Sequence, residues 1–477
     1  MHRFTVIFFA CFLLTLNISA QSGRVNPNAP TKSSSADANA SAPLTVRQMF
    51  DEANSYTKTK FAEYERKKMP YSEKLRLQTV REQKQLAAKY AATAAKLADL
   101  TGEDFYYAGL LHWIAENLDG ARENFDKVLA AENFPIEKKQ TARSIITIVA
   151  AKQKRFDEAE LTLKDYLKTD PTKLTERARM ESELAKNYRA ANNLTKAAAH
   201  AAEALRATKA LFQDSASRAK GLDELLDAGM TVYEIHRAAE NQKEADAALE
   251  DLRKTAVFVE SPSFYYYAAD QQIKYLIETK RKPLALETFK DVQLQTTKDF
   301  AEKPVQNFIL DKLKRREKQY KLLGEIAPEL ADVDKVFPGQ AQTLADLRGR
   351  VVLLDFWATW CAPCIETFPH LKEWQQNFAK DGLTILGMTR YYAGTYGDKM
   401  ENAAEFELLT SFRKKHELNY DFVVASGQAN QINYGATAIP TAVLIDRKGV
   451  VRYLESGTND SRVEEMREMI VKLLAEK

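Results

Sequence analysis

Two cysteines separated by two residues, Cys361 and Cys364, are the side chains in this sequence best suited to covalent chemistry. They close the run Phe356-Trp357-Ala358-Thr359-Trp360-Cys361-Ala362-Pro363-Cys364. Neighbouring thiols can form and break a disulfide through attack of a thiolate on a disulfide sulfur. A bridge between them closes so short a loop that it removes little entropy from the unfolded chain. The pair therefore predicts redox chemistry and not a structural crosslink.

The residues around the pair predict a strand that leads directly into a helix. Val351-Val352-Leu353-Leu354 is a short branched apolar run, typical of a buried strand, and a helix is predicted over Cys364–Lys380. The start of a helix offers unpaired amides and a partial positive charge, which favour a thiolate. We therefore expect Cys361 to be partly exposed, with a lowered pKa, and to attack a target sulfur. Cys364, one turn inside the helix, would resolve the mixed disulfide, and Pro363 suits the first helical turn.

A zinc site is the main alternative for such a pair, but the sequence lacks the other ligands. The remaining cysteine, Cys11, lies in an apolar N-terminal run, and His112, His200 and His236 stand apart on predicted helices. A structural zinc ion needs four convergent ligands. We expect no metal and no cofactor other than a Cys361–Cys364 redox disulfide.

The N-terminus has the pattern of a secretion signal. Arg3 precedes an apolar run from Phe4 to Leu16, and the small residues Ser19 and Ala20 follow. We expect residues 1–20 to be a signal peptide and the mature chain to be exported to a periplasmic or other extracytoplasmic space. An uncleaved N-terminal anchor is the alternative. Residues 21–43, rich in Ser, Ala, Asn and Pro, are predicted to be a flexible linker. No later segment predicts a transmembrane span.

The composition is that of a soluble multidomain protein. The 477 residues include 69 Lys and Arg against 66 Asp and Glu, a formal net charge of +3 spread along the chain. No basic block favours a nucleic-acid partner.

Residues 44–323 predict an all-α array of helical repeats. The repeat is marked by alanines 38 residues apart, Ala121, Ala159 and Ala197. Four residues after each alanine lies an apolar residue: Phe125, Leu163 and Ala201. Twelve residues before each alanine lies a small residue: Gly109, Thr147 and Ala185. Ala245 with Leu249, and Ala285 with Phe289, continue the pattern after an insertion near Phe212–Gly221. The array resembles tetratricopeptide repeats, although its period exceeds the usual ~34 residues. Such pairs stack into a solenoid whose concave face can hold a protein or peptide, or they serve as a spacer or dimerisation arm.

Residues 324–477 predict an α/β domain with a mixed central sheet. Further strands are expected at Leu383–Thr389, Phe422–Ala425, Ala442–Ile445 and Val450–Leu454, with helices at Ala403–His416 and Arg462–Leu474. Asp446-Arg447-Lys448-Gly449 predicts a hairpin turn between the last two strands.

This domain resembles the thioredoxin superfamily, and more closely its exported TlpA/ResA-like branch. The resemblance rests on Ala327-Pro328, on Leu344 to Gly349, on Trp360 to Cys364, and on Ile439-Pro440-Thr441 with Val443 to Asp446. It implies a cis peptide bond at Pro440 facing the cysteines, and backbone groups of Ile439 that pair with an extended substrate. It also implies that Trp360, Ala362, Pro363 and Thr441 contact that substrate.

Asp355 interrupts the apolar strand at the position of the buried acid of thioredoxins. A buried carboxyl near a thiol pair has a raised pKa and can relay a proton to or from Cys364. The alternative is an acid at the strand end that bonds backbone or water. Two positions depart from the family pattern. Thr367 stands where the TlpA/ResA-like branch usually has Glu, and Glu366 lies one residue earlier. Gly387 stands where thioredoxins often have a lysine that partners the buried acid, here Asp355. A loop from Tyr391 to Met400 either borders the active site or is a surface excursion.

The leading hypothesis is an exported thiol–disulfide oxidoreductase, a dithiol reductase or isomerase, with protein thiols and disulfides as clients and a membrane electron donor or acceptor for recycling. The direction of electron flow depends on potentials that the sequence does not encode. The alternative hypothesis is a helical-repeat adaptor in which the thioredoxin-like domain is secondary. A thiol peroxidase is disfavoured because no peroxidase-type Pro/Thr triplet precedes a lone cysteine.

Overall fold

The structure, a computed structural model, describes residues 43–213, 221–339, 343–392 and 400–476. The predictions for the signal peptide and for most of the linker lie outside these residues. The described chain divides between Ala248 and Leu249 into two compact units. Within the described part of the chain, none of the helices has the length and apolar character needed to span a bilayer.

Between Val46 and Leu322, every regular element of the described chain is an α-helix, which confirms the predicted all-α region. The helices are α1 (Val46–Arg66), α2 (Glu73–Ala94), α3 (Gly102–Ile114), α4 (Leu118–Ala130), α5 (Ile136–Lys152), α6 (Phe156–Leu167), α7 (Leu174–Ala190), α8 (Leu194–Leu211), α9 (Leu222–Ala238), α10 (Gln242–Phe258), α11 (Pro262–Glu278), α12 (Lys282–Asp299) and α13 (Lys303–Leu322).

Consecutive helices pack in pairs through the small residues that define the repeat. Ala121, Ala159 and Ala197 are fully buried. Gly109 of α3 shows why one position must be small, since a Cβ atom there would lie 2.9 Å from Cε1 of Phe125 in α4. Close approach of two helices therefore fixes the residue type at this position.

The turn within each pair also repeats. Glu116, Lys154 and Asn192 have left-handed backbone conformations (φ near +59°), and Glu240 and Lys280 adopt the same conformation in the next two turns. A residue of this kind after the last helical turn ends a helix and reverses the chain. The pairing is thus periodic in backbone geometry as well as in sequence, while the likeness to tetratricopeptide repeats stays a prediction.

The C-terminal part of the chain forms a six-stranded mixed sheet in the order β1-β4-β3-β2-β5-β6, flanked by helices. Its elements are β1 (Val333–Phe337), β2 (Val351–Phe356), α14 (Ala362–Phe378), β3 (Leu383–Arg390), α15 (Asn402–Lys415), β4 (Asp421–Ala425), α16 (Ala429–Tyr434), β5 (Thr441–Ile445), β6 (Val451–Ser456) and α17 (Asp460–Ala475). The fold is thioredoxin-like.

Strand β2 lies at the centre of this sheet, parallel to β3 and antiparallel to β5, and all six of its residues are buried. A strand covered on both faces needs a continuous apolar run, which is why the sequence predicted it. The predicted hairpin turn is also confirmed, with Gly449 in a left-handed conformation (φ +79°). Strand β1 and the short helix α16 were not predicted, because neither segment has a clear hydrophobic period.

Candidate active site

Cys361 is the N-cap residue of α14, directly after the loop that leaves β2. The backbone N–H of Cys364 donates a hydrogen bond of 3.3 Å to Sγ of Cys361. Ala362 and Pro363 form the exposed first turn between them. An amide that points at the sulfur, at the positive end of a helix, stabilises a thiolate more than a neutral thiol.

Cys361 and Cys364 are joined by a disulfide bond. Cys361 is only 5% exposed and Cys364 is fully buried, so the expectation of a partly exposed Cys361 is wrong for this oxidised form. Both cysteines belong to an apolar core that includes Trp357 and Phe368.

The exposed aromatic residue beside the disulfide is Trp360, which is 55% exposed. Its indole meets the ring of Tyr392 edge-on, with 5.6 Å between the ring centroids. The guanidinium of Arg390 lies 4.2 Å from the centroid of Tyr392. Tyr391 points inward and donates a hydrogen bond of 2.7 Å to Asp334. The first residues of the predicted Tyr391–Met400 loop are therefore close to Trp360, whereas residues 393–399 lie outside the described residues.

Asp355 is buried beneath the active-site loop, 3% exposed, and its Oδ2 atom has no hydrogen-bond partner among the described residues. Burial raises the pKa of Asp355 to about 7. The carboxyl lines a cavity of about 20 Å³ together with Thr367, whose hydroxyl donates a hydrogen bond of 2.7 Å to the carbonyl of Cys364. A cavity of this volume has room for one water molecule. Asp355 and the helix turn that carries Cys364 thus border the same space.

The loop before β5 carries the predicted substrate-binding residues. The Ile439–Pro440 peptide bond is cis, as the resemblance implies. Pro440 lines the Asp355 cavity, and half-buried Ile439 packs against the core that contains both cysteines. Thr441 is fully buried, and its hydroxyl contacts Ala438 O at 2.6 Å and Ser456 Oγ at 2.8 Å. The side chain of Thr441 is therefore engaged within the protein.

Known proteins match the C-terminal part of the chain. The redoxin family model matches residues 323–470. The thioredoxin-like protein YneN of Bacillus subtilis (strain 168) is 29% identical over 135 residues, which cover 28% of this chain and 72% of YneN. The thiol-disulfide oxidoreductase ResA of Geobacillus thermodenitrificans (strain NG80-2) is 30% identical over 145 residues, which cover 30% of this chain and 74% of ResA.

The chain belongs to the ResA-like thiol-disulfide oxidoreductases. It is an enzyme of the thioredoxin-like class. Among solved structures, a thiol-disulfide isomerase from Corynebacterium glutamicum is similar at 22% identity, with a TM-score of 0.27 and coverage of 32% of this chain and 98% of that one.

The departure from the ResA-like branch at Thr367 and the departure from thioredoxins at Gly387 can both be located in the structure. Thr367 lines the Asp355 cavity, whereas Glu366, one residue earlier, is exposed. Gly387 pairs with Asp355 across β2 and β3, and a Cβ atom on it would lie 3.0 Å from both Trp357 and Phe422. A longer side chain there would require Trp357 and Phe422 to move, and the glycine supplies no cationic partner for Asp355.

Sequence reasoning missed one acid of this region, Glu455, which also lines the Asp355 cavity. A charged residue at the end of an apolar strand was the available signal, the same signal that singled out Asp355. His, Cys, Asp and Glu residues in the described part of the chain form no group suited to a metal ion.

Proposed function

We propose that this oxidoreductase exchanges disulfides with exported proteins through the Cys361–Cys364 pair. The observation that carries the proposal is the N-cap position of Cys361, whose Sγ accepts the N–H of Cys364 at 3.3 Å. This arrangement lowers the cost of placing a negative charge on that sulfur. Cys361 is therefore the sulfur that forms the mixed disulfide with a client, and Cys364 is the buried partner that resolves it.

In the reducing direction, the Cys361 thiolate attacks one sulfur of a client disulfide. A bond forms between Sγ of Cys361 and that sulfur, and the other client sulfur leaves as a thiolate. Cys364 then loses its proton and attacks Sγ of Cys361, which releases the second client thiolate and forms the Cys361–Cys364 disulfide. The client gains two electrons, and an external dithiol donor must return them to the protein.

Asp355 is the proposed acceptor of the Cys364 proton. Its burial beside the turn that carries Cys364, and a pKa raised to about 7 by that burial, suit a group that takes up and returns protons near neutral pH. Trp360, Ala362 and Pro363 form the exposed surface next to the disulfide and are proposed to contact the client. Backbone groups of Ile439 are proposed to pair with the extended client chain, with Pro440 and Thr441 holding that loop.

Location and organisation are part of the same proposal. We propose that residues 1–20 direct export, that residues 21–43 are a linker, and that the repeats of residues 44–323 bind a partner or act as a spacer for the domain of residues 324–477. A membrane protein that supplies or accepts electrons would recycle the pair. Reductase or isomerase activity is the proposed direction.

The experiment is insulin reduction by the full-length chain with a dithiol as electron source. Wild type should accelerate precipitation of the insulin B chain, and Cys361→Ser should reduce the rate to that of the dithiol alone. Glu366→Gln, an exposed change on the same helix, is the matched control and should keep wild-type activity. Equal rates for wild type and Cys361→Ser would reject the proposed redox role and favour the alternative hypothesis of a helical-repeat adaptor.

Natural clients can be captured with Cys364→Ala, which cannot resolve the mixed disulfide. This variant, incubated with an extract of the exported compartment, should form adducts that a reducing agent releases. The double variant Cys361→Ser/Cys364→Ala should form none. Adducts that appear equally with both variants would show that Cys361 is not the attacking sulfur.

A further inference from the structure

One row of residues crosses the sheet from Asp355 to a second buried acid, Glu455. Asp355 of β2 pairs with Ala442 of β5, and Ala442 pairs with Glu455 of β6. Directly paired residues project on the same face of a sheet, so the two carboxyl groups share a face. They lie two strand spacings apart, about 10 Å between backbones. Ala442 is the residue of β5 that pairs with both of them, and both acids line the same cavity.

Glu455 is held in place by two cations from the helices that precede the sheet. Nζ of Lys274 in α11 lies 2.6 Å from Oε1 of Glu455, and Nη2 of Arg316 in α13 lies 3.0 Å from the same atom. Glu455 and Arg316 are buried. Burial favours the neutral acid, but the charges of Arg316 and Lys274 outweigh it and hold the pKa of Glu455 below its ordinary value. The carboxylate at this wall of the cavity is therefore charged at neutral pH.

Arg316 is itself fixed by neighbouring polar groups, and Nζ of Lys274 also lies 3.8 Å from Oε1 of Glu465. Nε of Arg316 lies 3.0 Å from Oδ1 of Asp270, which also accepts a hydrogen bond of 2.6 Å from Tyr320. Asp270 is one helical turn before Lys274, and Tyr320 is one turn after Arg316. All of these helix residues precede residues 323–470, which match the redoxin family. The arrangement thus places charged groups of the helical region in contact with Glu455, a residue that lines the Asp355 cavity.

We propose that Glu455 is a positioning residue of the redox site, held by Lys274 and Arg316, whose charge controls the proton exchange of Asp355 across their shared cavity. This inference rests on the proposed role of Asp355 as the proton acceptor for Cys364. It assigns to α11 and α13 a function in the redox step, separate from any partner binding by the repeats. Since the β3 residue paired with Asp355 is Gly387, which offers no cation, charges from the helices take the place of a direct partner for Asp355.

The sign of the effect follows from charge alone. A negative Glu455 disfavours ionisation of Asp355, while positive Lys274 and Arg316 behind it favour ionisation. At about 10 Å and an effective dielectric constant of about 20, removal of one charge should move the midpoint of Asp355 by about one pH unit. Two further groups, Tyr453 and Arg462, line the cavity, and the pKa of nearby Tyr420 is raised by burial and then by Asp355. Nη2 of Arg462 lies 3.9 Å from Oε2 of Glu455. Glu465 and Tyr266 lie near the ion cluster.

The experiment measures the resolving step as a function of pH in the full-length reduced protein. Reaction of the reduced pair with 5,5′-dithiobis(2-nitrobenzoate) first forms a mixed disulfide on Cys361 and releases one coloured thiolate. Attack by Cys364 then releases the second thiolate, and the rate of this second phase is followed from pH 4 to pH 10. The component of the profile that disappears in Asp355→Asn belongs to Asp355.

Glu455→Gln should move the Asp355 component to lower pH by about one unit, and Lys274→Met should move it to higher pH by a smaller amount, because the Lys274 ammonium does not line the cavity. The double variant Lys274→Met/Glu455→Gln should return it towards the wild-type position. Opposite shifts cannot come from a merely structural role, because loss of packing would change both variants in the same direction. If Glu455→Gln does not fold, the direction in which Lys274→Met moves the Asp355 component still tests the inference.

Lys472→Met is the matched control, since Lys472 forms its 3.3 Å ion pair with Glu278 of α11, whereas Lys274 pairs with Glu455. It should leave the Asp355 component in place. Unshifted profiles for Glu455→Gln and Lys274→Met, or shifts in the same direction, would overturn the inference while the proposed function stands. A pH profile that Asp355→Asn does not alter would instead remove the proposed role of Asp355, on which the inference depends.

Discussion

Nε1 of Trp357 lies 3.0 Å from the position that a Cβ atom on Gly387 would occupy. Trp357 is fully buried and stacks on Phe412, with 5.2 Å between the ring centroids. The indole therefore fills the space beside Gly387 on the face of the sheet that Asp355 shares. This packing explains why Asp355 is buried without a cationic neighbour on β3.

Gly387→Ala should destabilise the C-terminal unit, because the new methyl group overlaps Trp357 and Phe422. The expected loss is about 1–3 kcal/mol in the free energy of unfolding, as for other overpacked core positions. Chemical denaturation of the oxidised protein, followed by tryptophan fluorescence, measures it. Gly427→Ala is the control, since the Cβ there would meet only the movable side chain of Asp332. Equal stability of Gly387→Ala and wild type would contradict this packing.

Asp355 should make the oxidised protein less stable as pH rises. Burial raises the pKa of Asp355 to about 7 in the folded state, against about 3.9 in an unfolded chain. The folded state therefore binds more protons between these values, and the free energy of unfolding should fall from about pH 4 to about pH 7 and then stay level. Asp355→Asn should remove this fall and gain at most about 4 kcal/mol at pH 8.

Asp381→Asn, at an exposed position, is the control for the pH series. Denaturation midpoints at pH 5 and pH 8 are sufficient for the comparison. A wild type and an Asp355→Asn variant with the same pH dependence would show that the carboxyl is not held in its neutral form.

Arg316→Met should destabilise the C-terminal unit by about 3–5 kcal/mol at pH 7, because it leaves the buried carboxylates of Asp270 and Glu455 without their shared cation. Lys321→Met, which breaks an exposed ion pair with Glu317, should cost less than about 1 kcal/mol. The pKa of Glu455 is lower in the folded state than in the unfolded chain, where it is about 4.3. The Glu455 carboxylate therefore contributes to the free energy of unfolding above about pH 4.3, and this contribution is lost as the pH falls through the pKa of the folded state. The difference in the free energy of unfolding between Arg316→Met and wild type should therefore become smaller in acid. A difference that does not change with pH would contradict a stabilising ion pair between Arg316 and Glu455.

The repeat geometry is tested at Gly109 and Phe125. Gly109→Ala should destabilise the helical unit by about 1–3 kcal/mol, since its Cβ atom would lie 2.9 Å from Phe125 Cε1. In Gly109→Ala/Phe125→Leu the smaller partner should recover part of this loss, so the double variant should be more stable than the sum of the two single changes implies. Thermal unfolding by far-UV circular dichroism measures the cycle, and simple additivity would contradict direct packing of α3 on α4 through these residues.

The sequence was informative where a local pattern determines structure. The apolar run of β2, the turn at Gly449 and the spacing of Ala121, Ala159 and Ala197 each follow from a short-range rule, and each has its predicted place. The position of Cys361 at the start of α14 follows in the same way from strand, loop and helix signals.

The remaining features depend on residues far apart in the sequence. Glu455 contacts Lys274 and Arg316, and no local pattern links these three positions. The burial of Cys361 was mispredicted because helix N-termini are usually exposed, whereas here Cys361 belongs to the apolar core of the domain. Long-range packing, and not local propensity, decides such details.

The most direct test of the account is the thiol pKa of Cys361 in the reduced Cys364→Ala variant, which keeps the backbone N–H that points at Sγ. The rate of alkylation by iodoacetamide between pH 4 and pH 10 gives this value. We predict a midpoint at least one unit below the value of about 8.5 for an ordinary cysteine, with rapid alkylation at pH 7. A midpoint at or above about 8.5, or a thiol that stays unreactive until the protein is unfolded, would contradict the assignment of Cys361 as the attacking sulfur.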